Sequence, residues 1–490
     1  MPQPPPPAEL YTHTLADWLA LPLPKPEGAA LCGRITLLIS DPQPAALVAS
    51  RDQPDPQILF DDGDTACFLR GPAVLRAGLC IGDFVRVLPQ AGPSHPDASS
   101  SPPSADAIRA GSRPCIAVAD LQILDRPSGG TQFLSPDADW YRLQRDARTR
   151  IHRIKQRASL VSSVRQFFAQ RDFVEIEAPL QVPSPGLELH LSAFATQPGG
   201  RYLITSPEYQ CKRLLAGGLR RIYSLGKVFR AGEAGPHHNP EFTMLEWYRA
   251  YAGWQAIADD VAALCAHLVA QRPGGDGTPL LSRNGPSSNQ QILDLSLPWP
   301  QLSVCEAMAR YAGVTLRGDE SLDELTAALS AAGHRPTPPG PTPLTWDERF
   351  FSVFLDHVEP QLAAPQPDTG HIRPVVLYDW PLPLCALARP RPDNPAVVER
   401  FEAYIAGLEL CNGFGELCDP HEQRRRLEHD ADQRARRGLP VYPQDERFLS
   451  ALSAGMPPSA GVALGIDRLL MLLTGAQHIR DVLPFSTDEL

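Results

Sequence analysis

The segment between residues 201 and 250 constrains the fold of this chain more than any other. It reads RYLITSPEYQCKRLLAGGLRRIYSLGKVFRAGEAGPHHNPEFTMLEWYRA. Apolar runs predict strands at Tyr202–Thr205, Arg221–Phe229 and Thr243–Tyr248. The spacing of Glu208–Leu215 predicts a helix, and a loop rich in Gly and Pro separates the last two strands. We therefore expect a β-hairpin whose loop gathers polar side chains.

The polar groups of this hairpin suit a nucleotide. Arg230 follows the second strand and offers a planar guanidinium that pairs with phosphate oxygens. Phe242 offers a flat face for a purine, and Glu208 and Glu246 can hold an amine. The same loop carries His238, Asn239 and Glu241. The alternative is an ordinary hairpin with surface charges.

A second segment, RFEAYIAGLELCNGFGELCD at residues 400–419, repeats glutamate every seven residues. The three are Glu402, Glu409 and Glu416. A spacing of seven also suits one face of a helix, but the glycines of the segment favour strands and a turn. They are Gly407, Gly413 and Gly415. We predict a hairpin across Gly407; solvated surface carboxylates are the alternative.

A third segment, SAGVALGIDRLLMLLT at residues 459–474, begins with small residues and ends with Leu and Met. The small residues predict a strand at Gly461–Gly465, and the apolar residues predict a core helix. Asp467 and Arg468 stand where the strand meets the helix.

These segments, in this order, resemble the class II aminoacyl-tRNA synthetases. The helix predicted at Ile154–Phe168 and the strand at Phe173–Ile176 resemble motif 1, which builds the dimer interface in that family. The first and third segments resemble motifs 2 and 3. The run HNPEFTM is similar to the lysyl-tRNA synthetase branch.

SPEY at Ser206–Tyr209 and EWYR at Glu246–Arg249 resemble more closely a family of short lysyl-tRNA synthetase paralogues, the elongation factor P–(R)-β-lysine ligases. The resemblance covers about residues 140–490. It implies an α+β fold, an antiparallel sheet flanked by helices, and a catalytic domain at residues 137–490. It also implies ATP and Mg²⁺ as cofactors and an aminoacyl-adenylate as the intermediate, formed without a protein nucleophile.

The resemblance assigns roles to individual residues. Arg230 and Arg468 are implied to be catalytic because they neutralise phosphate charge, and Glu402 and Glu409 are implied to hold Mg²⁺, which prefers hard oxygen ligands. The implied ATP-binding residues are Arg230, Glu233, His238, Asn239, Phe242, Glu409, Leu410, Gly465 and Arg468. The implied amino-acid-binding residues are Ser206, Pro207, Glu208, Tyr248, Asn412, Glu416 and Ala463.

Three hypotheses about the function differ mainly in the molecule that accepts the amino acid. Three features favour the transfer of lysine or (R)-β-lysine to elongation factor P. They are SPEY with EWYR, the linker RGLP…MP before motif 3, and Ala463 in place of the usual Gly. One methyl group in a pocket is worth about 1–3 kcal/mol of discrimination. A divergent lysyl-tRNA synthetase that charges tRNA(Lys) is the second hypothesis, and a non-catalytic lysine- or nucleotide-binding regulator is the third.

The motif 2 loop departs from the family pattern. Arg230 is followed by Ala231 and Gly232 where the family has Asn and Glu, and Glu233 stands one place later. Pro236 occupies a position where a basic residue is common. We expect Glu233 to substitute through a shift of the loop.

The N-terminal part has a different composition. Residues 1–28 are rich in Pro, and a Pro- and Ser-rich insertion at 89–114 is predicted to be disordered. Residues 29–130 are predicted to form a small β-barrel. Its five predicted strands are Leu31–Ile39, Gln57–Phe60, Thr65–Leu69, Phe84–Leu88 and Ile116–Leu124. The runs GRI, FDDGD and GDFVRV resemble a decayed OB-fold of a lysyl-tRNA synthetase.

Charge and cysteine content limit the candidate binding partners and the cellular compartment. The formal net charge is −11, and residues 1–130 carry nine Lys and Arg against fourteen Asp and Glu, which argues against a large nucleic-acid surface. Ten cysteines without a CxxC pair fit reduced thiols. We find neither a signal peptide nor a membrane span. These observations predict a cytoplasmic protein, and the resemblance implies a homodimer that acts on elongation factor P as a protein acceptor, with tRNA as the less favoured partner.

Overall fold

The computed structural model describes residues 30–39, 57–61, 66–70, 79, 83–89, 115–126, 128, 138–186, 188–189, 191–197, 199–272, 280–282, 291–335, 344–385 and 387–490. The chain divides into two compact units, residues 1–152 and 153–490. The predicted Pro-rich segment 1–28 and nearly all of the predicted insertion 89–114 lie outside the described residues.

Five strands of the first unit close into a barrel in the order β1-β2-β3-β5-β4. They are β1 (Leu31–Ile39), β2 (Gln57–Asp61), β3 (Ala66–Arg70), β4 (Phe84–Pro89) and β5 (Cys115–Asp125). Successive side chains of a strand point to opposite faces, so apolar residues at alternate positions fill the interior. Ile35, Phe60, Val85, Val87 and Ile116 are among these buried residues.

The remaining helices and strands follow in chain order. They are α1 (Asp139–Ala169), β6 (Val174–Glu175), β7 (Gln181–Val182), β8 (Ala195–Thr196), β9 (Arg201–Leu203), α2 (Glu208–Ala216), β10 (Arg221–Phe229), β11 (Glu241–Ala250), α3 (Trp254–Gln271), β12 (Leu280–Ser282), β13 (Gln291–Leu293), β14 (Gln301–Ser303), α4 (Val304–Ala307), α5 (Leu322–Ala331), α6 (Trp346–Val353), β15 (Val375–Pro381), β16 (Val397–Ile405), β17 (Leu408–Gly415), α7 (Pro420–Arg436), α8 (Glu446–Gly455), β18 (Ser459–Gly465) and α9 (Ile466–Thr474). None of the helices in the described ranges combines the length and the apolar character needed to cross a bilayer.

An eight-stranded sheet forms the centre of the second unit. Its order is β14-β15-β16-β17-β18-β11-β10-β6. The outer pairs β14–β15 and β10–β6 are parallel, and the inner neighbours are antiparallel. Helices flank this sheet, as the sequence predicted.

The two faces of the sheet have different partners. Leu245 and Trp247 of β11 are fully buried in a core with residues of α1, α3 and α9. Met244, Glu246 and Tyr248 alternate with them and therefore point to the opposite face. This second face carries the candidate site.

Two hairpins bring the polar segments onto that face. β10 pairs with β11 from Arg221↔Arg249 to Phe229↔Glu241, and the Arg230 N–H donates to the Pro240 carbonyl at 2.8 Å to close the loop. β16 and β17 meet at Ala406 and Gly407, whose φ angles of 52° and 77° are both positive. Positive φ at both central residues is the geometry of a two-residue type I′ turn. The predicted hairpin across Gly407 is therefore present, and the helical alternative is excluded.

Candidate active site

A cavity of about 440 Å³ lies over the second face of the sheet, between the loop of the β10–β11 hairpin, β17 and the start of α9. It is large enough to enclose a small ligand. The predicted site residues that line it are Arg230, Glu233, His238, Asn239, Phe242, Glu402, Glu409, Leu410, Asn412, Ala463, Gly465 and Arg468. All the residues that the sequence assigned to ATP and to the metal therefore share one cavity.

Arg468 joins two walls of this cavity. Its Nη1 donates to the Glu409 carbonyl at 2.8 Å, and its Nε lies 3.4 Å from the His237 carbonyl. Its Nη2 lies 2.6 Å from Nε2 of His238. Burial and the Arg468 charge lower the pKa values of His237 and His238. The His238 ring is therefore neutral near pH 7 and accepts a hydrogen bond at Nε2, because a guanidinium can only donate.

Arg230 stands at the start of the loop. Its guanidinium carbon lies 5.3 Å from the centroid of the Phe242 ring, and its Nη1 lies 3.8 Å from Oε2 of Glu233. The Arg230 Nε is buried without a hydrogen-bond partner. Gly232 has a φ of 82°, a conformation that glycine adopts without a steric penalty. The departure from the family pattern therefore places Glu233 beside Arg230.

Asn239 has a structural role in addition to its place in the cavity wall. Its Nδ2 donates to the Glu241 carbonyl at 2.6 Å. Its Oδ1 accepts from the N–H and the hydroxyl of Thr487, both at 3.1 Å. The amide group thus ties the loop to the C-terminal segment.

The two carboxylates predicted to hold Mg²⁺ differ in environment. Glu402 is buried and both of its oxygens have partners: Arg400 Nη2 lies 2.6 Å from Oε1, and the Tyr404 hydroxyl donates to Oε2 at 2.7 Å. Burial raises the pKa of Glu402 to about 7, and the Glu409 charge adds to this while Arg400 opposes it. Glu409 is more accessible, and its Oε2 lies 3.6 Å from Arg468 Nη1.

Two carboxylates at the edge of a cavity suit Mg²⁺ bound together with phosphates. The described part of the chain contains no cluster of three or more His, Cys, Asp or Glu that could hold a metal ion by itself. Mg²⁺ commonly uses one or two carboxylates and completes its shell with phosphate oxygens and water. Glu409 therefore fits a metal that arrives with a nucleotide, whereas Glu402 would have to exchange its contact with Arg400 or Tyr404 to join it.

A buried acidic cluster adjoins the cavity; we use this term for Glu208, Glu246, Glu416 and Lys212. Lys212 Nζ lies 2.5 Å from Glu208 Oε1 and 2.6 Å from Glu416 Oε2. Glu246 accepts from Ser206 Oγ at 2.8 Å and from the Tyr248 hydroxyl at 2.5 Å. Burial raises the pKa of Glu246 to about 8, with Glu208 contributing, and raises that of Glu416 to about 7 against the effect of Lys212.

The packing of Tyr248 explains one glycine of motif 3. A Cβ atom at Gly461 would lie 2.2 Å from Cδ1 of Tyr248, closer than any side chain allows. The Tyr248 ring lies against the bare backbone of β18, because Tyr248 and Gly461 are partners in the sheet. Glycine at this position therefore allows the Tyr248 hydroxyl to reach Glu246.

The predicted amino-acid-binding residues divide into two groups. Asn412 and Ala463 line the cavity, whereas Ser206, Pro207, Glu208, Tyr248 and Glu416 do not. β18 connects the groups, because Ala463 pairs with Glu246 on one side and with Asn412 on the other. Asn412 Oδ1 is buried without a hydrogen-bond partner. The acidic cluster therefore lies one strand away from the cavity wall.

Several residues of the site were not predicted from the sequence. Arg400, Tyr404, Glu188 and His237 line the cavity, and Lys212 crosslinks the acidic cluster. Burial raises the pKa of Glu188 to about 7. Two signals were available: Arg400, Glu402 and Tyr404 alternate along one strand, and Lys212 stands four residues after Glu208 on one helix.

Comparison with known proteins agrees with these observations. A family model described as class II tRNA synthetases (D, K and N) matches residues 138–489. The chain is 38% identical over 346 residues to the elongation factor P–(R)-β-lysine ligase of Haemophilus influenzae strain PittGG, which covers 69% of this chain and 96% of that protein. The protein of the same name from Proteus mirabilis is 38% identical over 362 residues, 72% of this chain and 98% of its own.

A third relative of that name, from Erwinia tasmaniensis, is 37% identical over 352 residues and covers 69% of this chain and 96% of its own length. Such identity across nearly the whole length of three relatives extends well beyond the short motifs. The chain belongs to the class II aminoacyl-tRNA synthetases and, among them, to the family of the elongation factor P–(R)-β-lysine ligases.

Proposed function

We propose that this protein is a ligase that activates lysine or (R)-β-lysine as an adenylate and transfers it to a lysine side chain of elongation factor P. The observation that carries this proposal is the similarity to proteins of that name over 96% and 98% of their length. The geometry supports it, because a cavity that presents Arg230 and Arg468 adjoins an acidic cluster suited to ammonium groups.

The nucleotide side of the site neutralises phosphate charge. Arg230 and Arg468 point into the cavity and would bind the phosphates through charge-assisted hydrogen bonds. Phe242 would stack on the adenine, and His238 orients Arg468. Glu402 and Glu409 would hold Mg²⁺, which supplies further positive charge to the phosphates when it is bound.

The amino-acid side binds ammonium groups and presents the carboxylate. Glu208, Glu246 and Glu416 would pair with the two ammonium groups of lysine or β-lysine. The substrate carboxylate then attacks the α-phosphate of ATP, and pyrophosphate leaves. In the second step a neutral amine of the acceptor attacks the adenylate carbonyl, AMP leaves with the bonding electrons, and an amide forms. Position and charge neutralisation supply the catalysis.

The barrel favours a second candidate function. A closed five-stranded barrel precedes the catalytic region, and we propose that it is an OB-fold like the N-terminal domain that the sequence resembles. Such a domain favours a lysyl-tRNA synthetase that charges tRNA(Lys). The excess of acidic residues in residues 1–130 weighs against RNA binding. The cytoplasmic location and the homodimer built through α1 stay predictions.

An acceptor assay separates the two functions. Purified protein, ATP, Mg²⁺ and labelled lysine or (R)-β-lysine are offered elongation factor P or total tRNA in separate reactions. We expect label on the protein, with β-lysine preferred, and none on an elongation factor P variant that lacks its acceptor lysine. Label on tRNA would establish the second function, and label on neither despite pyrophosphate exchange would mean a different acceptor.

A further inference from the structure

Lys212 is an ammonium group built into the candidate amino-acid site. It is fully buried on α2, with Nζ 2.5 Å from Glu208 and 2.6 Å from Glu416. Its Nζ also lies 6.0 Å from the centroid of the Phe448 ring of α8. Lys212 therefore occupies the space between two carboxylates that the proposed function assigns to the substrate.

The cluster has a defined charge. Glu208, Glu246 and Glu416 are at most 8% exposed, and Lys212 is the cation that lies within 3 Å of two of them. Three carboxylates and one ammonium leave two negative charges when all are ionised. Buried charges are tolerated only when they are paired. Two negative charges match the two ammonium groups of a diamino acid.

Other titratable groups around Lys212 do not supply this balance. Glu188 is a further carboxylate that interacts with Glu208, but Arg230 and Arg400 lie near it and lower its pKa, so its charge is balanced from the cavity side. β11 contributes the Tyr248 hydroxyl, α2 contributes Cys211, and the segment after β17 contributes Cys418; burial raises the pKa of each of these groups, so all three stay neutral near pH 7. Arg389 lies farther out and lowers the pKa of Glu416 less than Lys212 does. α8 faces Lys212 with the uncharged Phe448.

We infer that Lys212 is a positioning residue that holds Glu208 and Glu416 in place and sets the charge of the site to match a substrate with two ammonium groups. The inference rests on the proposed function. Lys212 touches carboxylates rather than the reacting atoms, so it acts through them. It accounts for the selection of a diamino acid, and not for the choice between α- and β-lysine.

Removal of this charge has a specific consequence. In Lys212→Met the three carboxylates repel one another without a counterion, so they bind protons at higher pH. A cationic substrate must displace those protons. The pH below which KM for lysine begins to rise should therefore move upward by about one unit, since an opposite charge within hydrogen-bond distance shifts a carboxyl pKa by about that much or more.

The test measures lysine-dependent ATP–pyrophosphate exchange from pH 6 to pH 9 in the full-length protein. The variants are Lys212→Met, Lys212→Arg and, as a control, Lys227→Met, a half-exposed lysine paired with Glu241. We expect the upward shift of the KM profile in Lys212→Met alone. In Lys212→Arg the profile should keep its position while KM rises about tenfold with kcat within about threefold, because a planar guanidinium cannot replace a compact ammonium.

The outcomes separate this inference from the proposed function. An unshifted profile in Lys212→Met, with wild-type exchange intact, would overturn the inference alone. Absence of lysine-dependent exchange in the wild type would overturn both. If circular dichroism shows that Lys212→Met is unfolded, Lys212→Arg provides the test. An unchanged KM for lysine, or a rise in KM matched by an equal fall in kcat, would leave Lys212 with a merely structural role.

Discussion

The nucleotide cavity and the acidic cluster handle charge in opposite ways. The cavity keeps its cations accessible: Arg230 and Arg468 are partly exposed, and of the two carboxylates proposed to hold Mg²⁺, Glu409 is the more open. The cluster buries its charges, and Lys212 and Glu416 are almost completely inaccessible. Under the proposed function, ATP would arrive with its own charges and a metal, so its site would need to stay open, whereas ammonium groups are bound more strongly by carboxylates kept away from water.

The two regions meet on β17 and β18. Asn412 and Ala463 are sheet partners, and both line the cavity while Ala463 also pairs with Glu246 of the cluster. The carboxylate of the amino acid must reach the nucleotide across this boundary. Substitutions on either side should therefore affect different parameters of the same reaction.

Glu409→Gln should have the largest effect, and it tests the cavity. The substitution keeps the shape of the side chain and removes a proposed metal ligand, so we expect pyrophosphate exchange to fall by about 10³-fold. The measurement is exchange as a function of Mg²⁺ concentration. Glu428→Gln, an exposed position on α7, is the matched control. Full exchange in Glu409→Gln would refute the metal assignment.

Arg468→Met should reduce exchange by about 10²- to 10³-fold, the cost of removing one preorganised donor from a developing charge. The loss has a second source, because Arg468 fixes the Glu409 carbonyl and the His238 ring. We expect the loss mainly in kcat, measured by exchange at saturating ATP. Arg447→Met, exposed on α8, serves as the control. An effect confined to KM for lysine would mean that Arg468 serves the amino-acid site and not the nucleotide cavity.

The cavity was largely predictable from the sequence, as were the three carboxylates of the acidic cluster, whereas Lys212 was not. Its residues come from short segments with distinct local signals: Gly and Pro in the motif 2 loop, small residues before Arg468, and Gly407 at a turn. Local signals of this kind determine hairpins, and the hairpins bring Arg230 and Glu409 into one cavity. All nine residues assigned to ATP line that cavity.

The place of Lys212 in the cluster depends on contacts that no local sequence pattern encodes. Lys212 and Glu416 are far apart in sequence, and their contact arises only when α2 packs beside the end of β17. A lysine four residues after a glutamate normally indicates an exposed helical ion pair, so Lys212 carried no signal of burial. Arg400 and Tyr404 were predictable in principle, because they alternate with Glu402 along β16 and Glu402 had been assigned to the site.

The pH dependence of stability tests the burial of carboxylates in both regions, Glu188 and Glu402 in the cavity wall and Glu246 and Glu416 in the cluster. Burial raises the pKa values of Glu188, Glu402 and Glu416 to about 7 and that of Glu246 to about 8, from an ordinary 4.5. Between these limits the native state holds more protons than the unfolded state. The stabilisation that these four carboxylates contribute is therefore present in full below pH 4.5 and is lost as pH rises through 7 to 8.

We expect the free energy of unfolding to fall between pH 6.5 and pH 8, by about 1.4 kcal/mol per pH unit for each proton that the protein releases on unfolding. The window starts at 6.5 because His237 and His238, whose pKa values are lowered, act in the opposite direction below it. Urea denaturation at several pH values measures the slope. Glu246→Gln should make the slope shallower, and a slope that is flat in the wild type would contradict the raised pKa values of these four carboxylates.

Ala463→Gly should have the smallest effect, at the boundary of the two regions. Ala463 lines the cavity and pairs in the sheet with Glu246 on one side and Asn412 on the other, so its methyl group forms part of the wall between the two regions. Removing one methyl group changes discrimination by about 1 kcal/mol, or about fivefold. We expect the ratio of exchange rates with α-lysine and (R)-β-lysine to shift toward α-lysine. The KM for ATP should stay constant, since the cavity cations are untouched. A change in the KM for ATP with an unchanged ratio would mean that this part of β18 serves the nucleotide instead, and the boundary between the two regions would then lie closer to Glu246.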